Sequence, residues 1–434
     1  MMNILHWDQL NTEQQQQALA RAGLDASDTI LEKTKNIIQT VKAEGDAALI
    51  DFTQQFDKAA LSDLKVSAHE FVEARKKITV AALEAIIFAQ ERIGIFHESL
   101  YPETIITETC AGVVCERQAR PIERVGLYIP GGTAPLISTV LMLAVPAGIA
   151  QCSVRVLCTP PNAKGEIDPH ILVAAERCGI HEVFKVGGAQ AIAAMAYGTA
   201  SVPKVDKIFG PGNQWVTQAK MLVSQDAAGA SIDMPAGPSE LMVIADNSAN
   251  PAWIAADLLS QAEHGTDSQV ILVTTSFEIA QQTQISLEEQ LAVLPRRDIA
   301  KQSLHHSRII VVEELAYAIQ IANLYAPEHL ILQLRDAEEY KADIQNAGAV
   351  FMGYWTPETV GDYVTGSNHV LPTNGFARSV SGLSIMDFMK FIYFQTVTQE
   401  GMQQIGPHAE VLAALEGLDA HKNAVTLRLS REER

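Results

Sequence analysis

Short apolar segments alternate with helical ones from residue 124 to about residue 353, and this alternation limits the chain to one kind of architecture. "RVGLYI" (124–129), "SVRVLCT", "EVFKVG" and "KIFG" are apolar runs of strand length. Each is followed by a segment with apolar residues at three-and-four spacing: "STVLMLAVPAGIA", "PHILVAAERCG", "GAQAIAAMAYG" and "QWVTQAKMLVSQ". A second series opens with "ELMVIAD" (240–246) and runs through "SQVILVTTS", "SRIIVV", "HLILQL" and "AGAVFMG", with helical segments between. Continuous apolar strands suit parallel sheets buried on both faces, with the crossover helices as the cover. The pattern predicts an α/β fold with two doubly wound, Rossmann-like parallel-sheet domains of similar size.

The flanks read differently. Residues 12 to about 100 are helical in pattern, and 104–128 carry short β-like pieces, "TIITETC" and "GVVCERQA". Beyond 353, "PETVGDYVTGSNHVLPTNGFARSVSG" is rich in loop residues, and two short helices follow, "AEVLAALEGLDAH" and "KNAVTLRLS". The predicted organisation is an N-terminal helical segment (1–118), a first Rossmann-like domain (119–236), a second (237–381) and a C-terminal helical tail (382–434). Such a tail packs across another domain or a second subunit.

Among 434 residues 47% are hydrophobic, enough for large cores. The formal net charge of −19 argues against nucleic acid as a partner, because phosphate backbones need clustered positive charge. A phosphate-bearing cofactor stays open, since backbone amides at a helix start hold it. The N-terminus has no basic stretch leading into an apolar run. The longest apolar stretch, "LISTVLMLAVPAGIA" (136–150), is too short for a bilayer and contains Pro146. A soluble, cytoplasmic protein is expected. Five cysteines (Cys110, Cys115, Cys152, Cys158, Cys178), with no Cys-x-x-Cys, make neither a disulfide framework nor a thiolate zinc site. Cys152 and Cys158 read as core residues.

In parallel sheets ligands sit at the carboxyl ends of strands. Three turns there are glycine-rich: "YIPGGTAP" (128–135), "GGAQA" (187–191) and "FGPGN" (209–213). None matches G-x-G-x-x-G, and Trp215 stands where the third glycine belongs, so ordinary tight turns compete with dinucleotide binding. In "ADLLSQAEHGTDSQVILVTTS" (256–276) a helix ends before a strand. Asn250 and Pro251 start that helix, Gly265 is placed to end it, and Trp253, Ile254, Leu258, Leu259 and Ala262 form its apolar face. Gln261 and His264, three apart, share a face. An amide oxygen and an imidazole nitrogen both ligate divalent cations, though a solvated helix end explains them equally.

"YAPEHLIL" (325–332) places Glu328 and His329 at the start of an apolar strand. Adjacent strand residues point to opposite sides, so the pair is expected to flank a substrate, one activating water and the other moving a proton. A polar strand start is the plain alternative. Asp362 and His369 lie in a glycine-rich loop, and Glu416 and His421 near the C-terminus. Gln261, His264, Asp362 and His421 together make a nitrogen-and-oxygen shell suited to zinc. Singly, each also reads as a surface residue or helix cap, and spacing does not show that they meet.

Over nearly its whole length the chain resembles the histidinol dehydrogenase family. The resemblance lies in "VGLYIPGG", "KVGGAQAIAA", "PKVDKIFGPGN", "IDMPAGPSE", "DLLSQAEHG", "PEHL", "GDY" with "NHVLPT", and "HKNAVTLR", in that order. It implies an NAD-dependent, zinc-requiring homodimer that oxidises L-histidinol through L-histidinaldehyde to L-histidine, ending histidine biosynthesis. It implies one zinc per subunit on Gln261, His264, Asp362 and His421, the last supplied across a dimer that shares its active sites. Glu328 and His329 become the acid/base pair. Ser239, His369 and Glu416, with those six residues, hold the substrate, and Tyr128, Gln190 and Asn213 contact NAD. The implied chemistry has zinc binding the substrate's imidazole and amine, His329 taking the alcohol proton, and Glu328 activating water for the second step, with no thiol nucleophile. The nearest rival to a histidinol dehydrogenase is a same-fold dehydrogenase of another polar alcohol, and a rival from another class is a zinc hydrolase working through Glu328. A non-catalytic metal-binding protein is a third.

Overall fold

The computed structural model describes residues 2–21, 28–131, 135–234 and 237–430. The chain divides into two units, Met1–Leu100 with Ile122–Phe388, and Tyr101–Pro121 with Met389–Arg434.

The first unit holds two parallel sheets of the same winding. One has the strand order Glu182–Lys185, Val154–Thr159, Arg124–Tyr128, Lys207–Phe209, Ser231–Ile232. Counted along the chain this is 3-2-1-4-5, so the winding reverses between Arg124–Tyr128 and Lys207–Phe209. The other runs Arg308–Val311, Gln269–Thr274, Glu240–Ala245, His329–Gln333, Ala349–Met352, again 3-2-1-4-5. The strand Asn3–His6, absent from the sequence reading, adds in parallel to its Arg308–Val311 edge. Every residue of Glu240–Ala245, Gln269–Thr274 and His329–Gln333 is buried, as expected for strands covered on both faces. The two doubly wound sheets of the sequence reading are thus present.

The N-terminal helices cover the first of these sheets. Asp28–Glu44 and Asp46–Phe56 lie on the helix Gly188–Tyr197, where Ile38, Val41 and Leu49 join a core with Ile192 and Met195. Val80–Ser99 packs on Ile137–Ile149. In it His97 is fully buried with no hydrogen-bond partner at either ring nitrogen, and burial lowers its pKa to about 4. A depressed histidine pKa means that the unfolded chain takes up a proton that the folded chain refuses. Stability is therefore lost as the pH falls from about 6.5 towards 4. Urea unfolding at pH 7.5 and pH 5 is expected to show wild type losing about 2 kcal/mol more than His97→Leu over that interval. Equal losses in the two proteins would contradict the account.

The helix Pro251–Ala262 starts as its sequence dictates: Asn250 Oδ1 accepts from the Ala252 amide at 2.9 Å and Pro251 takes the first position. It stops earlier than Gly265, with Glu263 as its C-cap. Ile254, Leu258, Leu259 and Ala262 are buried, whereas Trp253 faces outward against Trp355.

The second unit is a three-stranded antiparallel sheet, Met389–Val397, Val113–Pro121, Ile105–Cys110, with the helices Gln399–Leu415 and Asp419–Leu429 packed on each other. The strand Met389–Val397 was not expected. The break between the last two helices falls at 416–418, so His421 lies inside the final helix rather than at a junction.

Candidate active site

Polar residues converge at the amino edge of the second sheet, not at the carboxyl edge where ligands were expected. His329 opens the strand His329–Gln333 and pairs with Leu241 on one side and Ala349 on the other. Ahead of it Ala326 adopts a left-handed conformation (φ 54°), ending the helix Leu315–Tyr325 and turning the chain into the sheet. Gly348 passes so close that a Cβ there would lie 2.5 Å from the Glu328 carbonyl oxygen, so only glycine fits.

Glu328 and His329 do not point to opposite sides. Glu328 precedes the strand and is free of its alternation, and its Oε2 lies 3.5 Å from His329 Nδ1. The same Oε2 accepts from the Glu240 amide at 2.8 Å. His329 Nδ1 faces the Glu240 carbonyl at 3.1 Å, which assigns the Nδ1 proton to that bond and turns Nε2 to the interior of the cluster. Glu240 is itself fixed: Arg21 donates to both its carboxylate oxygens at 2.6 and 2.9 Å, with the guanidinium over the Tyr325 ring.

The facing wall comes from the end of the helix Pro251–Ala262 and from the short helix Glu358–Tyr363. That short helix sits tightly, because a Cβ at Gly361 would meet Phe351 at 2.3 Å. Its Glu358 and Asp362, one turn apart, both reach His329: Glu358 Oε1 is 3.7 Å and Asp362 Oδ1 3.6 Å from Nε2. Gln261 is fully buried. Its amide satisfies its neighbours with nitrogen towards both Glu358 oxygens and oxygen towards His264 Nδ1 at 3.2 Å. His369 closes the cluster, Nδ1 on the Asp362 carbonyl at 3.0 Å and Nε2 beside Thr139 Oγ1 at 3.3 Å.

Burial raises the Glu328 pKa, with His329 opposing. Burial alone would lower His329, but the Glu358 and Glu328 carboxylates and Asp362 outweigh it and hold the ring above its ordinary pKa. Glu358 is raised by burial, with Asp362 and Glu328 adding repulsion. Desolvation lowers both His264 and His369, favouring neutral imidazoles. Three carboxyl groups, Glu328, Glu358 and Asp362, thus face one cationic ring, and the buried Asp257, held by Gln333, adds repulsion at Glu358.

Two atoms in the middle, His329 Nε2 and Asp362 Oδ1, are buried without a hydrogen-bond partner. Buried charge of this sign is stable only when paired or bound to a cation. Among the described residues His329, Glu358 and Asp362 offer ligand atoms within 4.8 Å of one another. Gln261 oxygen and His264 Nδ1, 3.2 Å apart, have the separation of neighbouring ligands on one ion, ~3.4 Å for tetrahedral zinc. The residues fit a divalent cation.

The three glycine turns lie at the carboxyl edge of the first sheet. Tyr128 is buried and its hydroxyl accepts from the Gly188 amide at 3.1 Å. Gln190 is buried in the first turn of Gly188–Tyr197, a helix whose start has no side-chain cap. Asn213 is exposed and caps the helix Gln214–Gln225, accepting from the Trp215 and Val216 amides. At Gly210 (φ 121°) a Cβ would lie 2.1 Å from the Tyr128 carbonyl oxygen. The buried ion pair Lys220–Asp233 holds this turn, Lys220 donating to the Gly210 carbonyl and Asp233 accepting from its amide, both at 2.8 Å. Residues 132–134 of the first turn lie outside the described residues.

Gln261, His264, Asp362, Glu328, His329 and His369 therefore stand together in the first unit. Ser239 adjoins them, immediately before Glu240, with its carbonyl bound by the Gln269 amide. Glu416 and His421 belong to the second unit, both exposed, at the end of one helix and within the next. Glu358 and Asp257 escaped the sequence reading. Glu358 follows a proline at a helix start, where acidic residues are common. Its spacing of four from Asp362 was the available signal. The buried Cys152 and Cys158 have thiols pushed up by burial and offer no nucleophile.

Two doubly wound parallel sheets, with a buried cluster of histidines and carboxylates at the amino edge of the second, make this an α/β protein of the two-sheet class. Sequence relatives make the assignment particular. The family profile described as histidinol dehydrogenase matches residues 20–429. The chain is 52% identical over 427 residues to histidinol dehydrogenase of Yersinia pestis, spanning 98% of this chain and 96% of that protein. It is 51% identical over 427 residues to that of Escherichia coli K12, spanning 98% of each. The crystal structure of histidinol dehydrogenase from Elizabethkingia anophelis, 49% identical, superposes with a TM-score of 0.95 over 99% of this chain and 98% of that one. The chain belongs to the histidinol dehydrogenase family and is an oxidoreductase.

Proposed function

We propose that the protein oxidises L-histidinol to L-histidine in two NAD-dependent steps, with L-histidinaldehyde between them and with zinc in the cluster, closing histidine biosynthesis. One observation carries this: His329 Nε2 and Asp362 Oδ1 are buried, 3.6 Å apart and without a hydrogen-bond partner, beside the Gln261–His264 pair. Bound at Gln261, His264 and Asp362, zinc supplies Lewis acidity and coordination positions for the substrate's imidazole and amine. We assign its fourth protein ligand to His421 of a second copy of the chain. The second unit supports a dimer, since Ile106, Tyr393, Leu412 and Leu415 leave large apolar side chains exposed. NAD would supply the hydride acceptor for each step, and the uncapped helix start at Gly187 and Gly188 suits its pyrophosphate.

The side chains divide the proton work. A cation bound among these carboxylates would offset the charge that holds a second proton on His329; the ring keeps its Nδ1 proton on the Glu240 carbonyl, and Nε2 is the base that takes the carbinol proton as hydride leaves. Glu328, desolvated and pinned by the Glu240 amide, takes a proton from water, whose oxygen adds to the aldehyde carbon while His329 returns its proton to the aldehyde oxygen, giving the hydrate and freeing Nε2. His329 then takes the hydrate's hydroxyl proton as the second hydride departs. Ser239, His369 and Glu416 hold the substrate, and Tyr128, Gln190 and Asn213 border the cofactor. Among the described residues no helix is long and apolar enough to cross a membrane. We place the enzyme in the cytoplasm, and its free cysteines suit a reducing compartment.

NADH formed per L-histidinol consumed by zinc-loaded protein tests this. Two NADH with histidine as product are expected. Glu328→Gln is expected to slow aldehyde oxidation ~100-fold while leaving the first step within a few-fold. One NADH per substrate would reduce the reaction to alcohol oxidation, and none would favour another alcohol or a hydrolase.

A further inference from the structure

We infer that Glu358 is a positioning residue that fixes which end of the Gln261 amide faces the cation. This rests on the assignment of Gln261 as a metal ligand and adds a role that the ligand set does not contain. Gln261 is fully buried and Glu358 nearly so, so neither exchanges its partner for water. An amide turned by 180° swaps an acceptor for a donor at almost the same place. Only the oxygen ligates a cation, whereas the NH₂ group repels it. With its nitrogen on Glu358, Gln261 gives that group two acceptors, Oε1 and Oε2, the latter at 3.1 Å, and its oxygen then lies 3.2 Å from His264 Nδ1. The opposite orientation would set the amide oxygen against two carboxylate oxygens and turn the NH₂ group onto His264 Nδ1, the atom that would have to ligate the cation.

Glu358 is well placed for this because it touches little else. It sits on the short helix that also carries Asp362, so the ligand and the residue that orients the second ligand move as one body. Gly361 against Phe351 seats that helix on the sheet. The other neighbour of Glu358 is His329 Nε2 at 3.7 Å, beyond hydrogen-bond length. Loss of an outer residue that orients a metal ligand typically weakens metal binding 10–100-fold.

The test measures zinc affinity of the full-length protein by competition with a chromophoric chelator, and the visible spectrum of the cobalt-loaded form. Glu358→Ala is expected to weaken zinc ~10–100-fold and to change the cobalt spectrum. The exchange Gln261→Glu with Glu358→Gln preserves volume and charge and lets the new amide donate to the new carboxylate. It is expected to bind zinc within about threefold of wild type, well inside the range lost by the single variant. Wild-type affinity and spectrum in Glu358→Ala would overturn the inference. If that variant fails to fold, ~100-fold weaker binding by the folded exchange variant would overturn it instead. Wild type that binds neither zinc nor cobalt would sink the metal assignment itself, a failure distinct from the other two.

Discussion

Replacing His329 with asparagine is expected to lower both oxidations by about 10²–10⁴-fold, the range for loss of a positioned general base. Asparagine retains a side-chain donor for the Glu240 carbonyl but has no basic nitrogen to put where Nε2 stands. The ring is held at one nitrogen by a backbone carbonyl and presents the other to the cluster, so its loss removes the one imidazole fixed in that place. Single-turnover NADH formation from L-histidinol, and separately from L-histidinaldehyde, measures the two losses. NAD affinity should not change, because the proposed cofactor turns lie on the other sheet. A variant that kept either step at the wild-type rate would remove His329 from that step.

Removal of metal by a chelator is expected to abolish turnover, by more than ~100-fold, and added zinc to restore it. The same treatment should reduce stability. Glu358, Asp362 and Glu328 are crowded around one imidazole, with Asp257 behind Glu358, and without a bound metal the folded state bears more of their mutual repulsion. A metal bound at a thousandfold excess over its Kd contributes about 4 kcal/mol. Melting curves with zinc and with chelator report this independently of activity. Turnover that survives chelation would leave a pure acid/base cluster and count against zinc in the mechanism.

The two parallel sheets were legible because their strands are apolar throughout, and burial on both faces demands that pattern. Met389–Val397 was not legible for the converse reason. Past its first residue it is half-buried or exposed, so "MKFIYFQTV" shows neither a continuous run nor an inside–outside alternation. Asn3–His6 is too short to carry a period and exists because an edge is available. In the site, Gln261, His264, Asp362, Glu328 and His329 were readable as residues. Their location was not, since the rule that ligands gather at carboxyl ends of strands misses a cluster built where helices enter a sheet. The convergence of Glu328 with His329 was also hidden. Alternation holds only inside a strand, and Glu328 stands one residue outside.

The sheet of the second unit has a consequence for synthesis on the ribosome. Its middle strand, Val113–Pro121, is made early, and one of its two partners, Met389–Val397, emerges when nearly the whole chain is finished. Asn3–His6 likewise waits for Arg308–Val311. Between these events lies a stretch, from Arg124 to Ile232, whose strands build one sheet among themselves, with an isolated bridge back to the earlier Lys65. Vectorial folding therefore completes that stretch first, while the nascent chain carries an open strand edge until translation is almost over. A truncated product lacking the last strand keeps that edge permanently, and such edges recruit other chains.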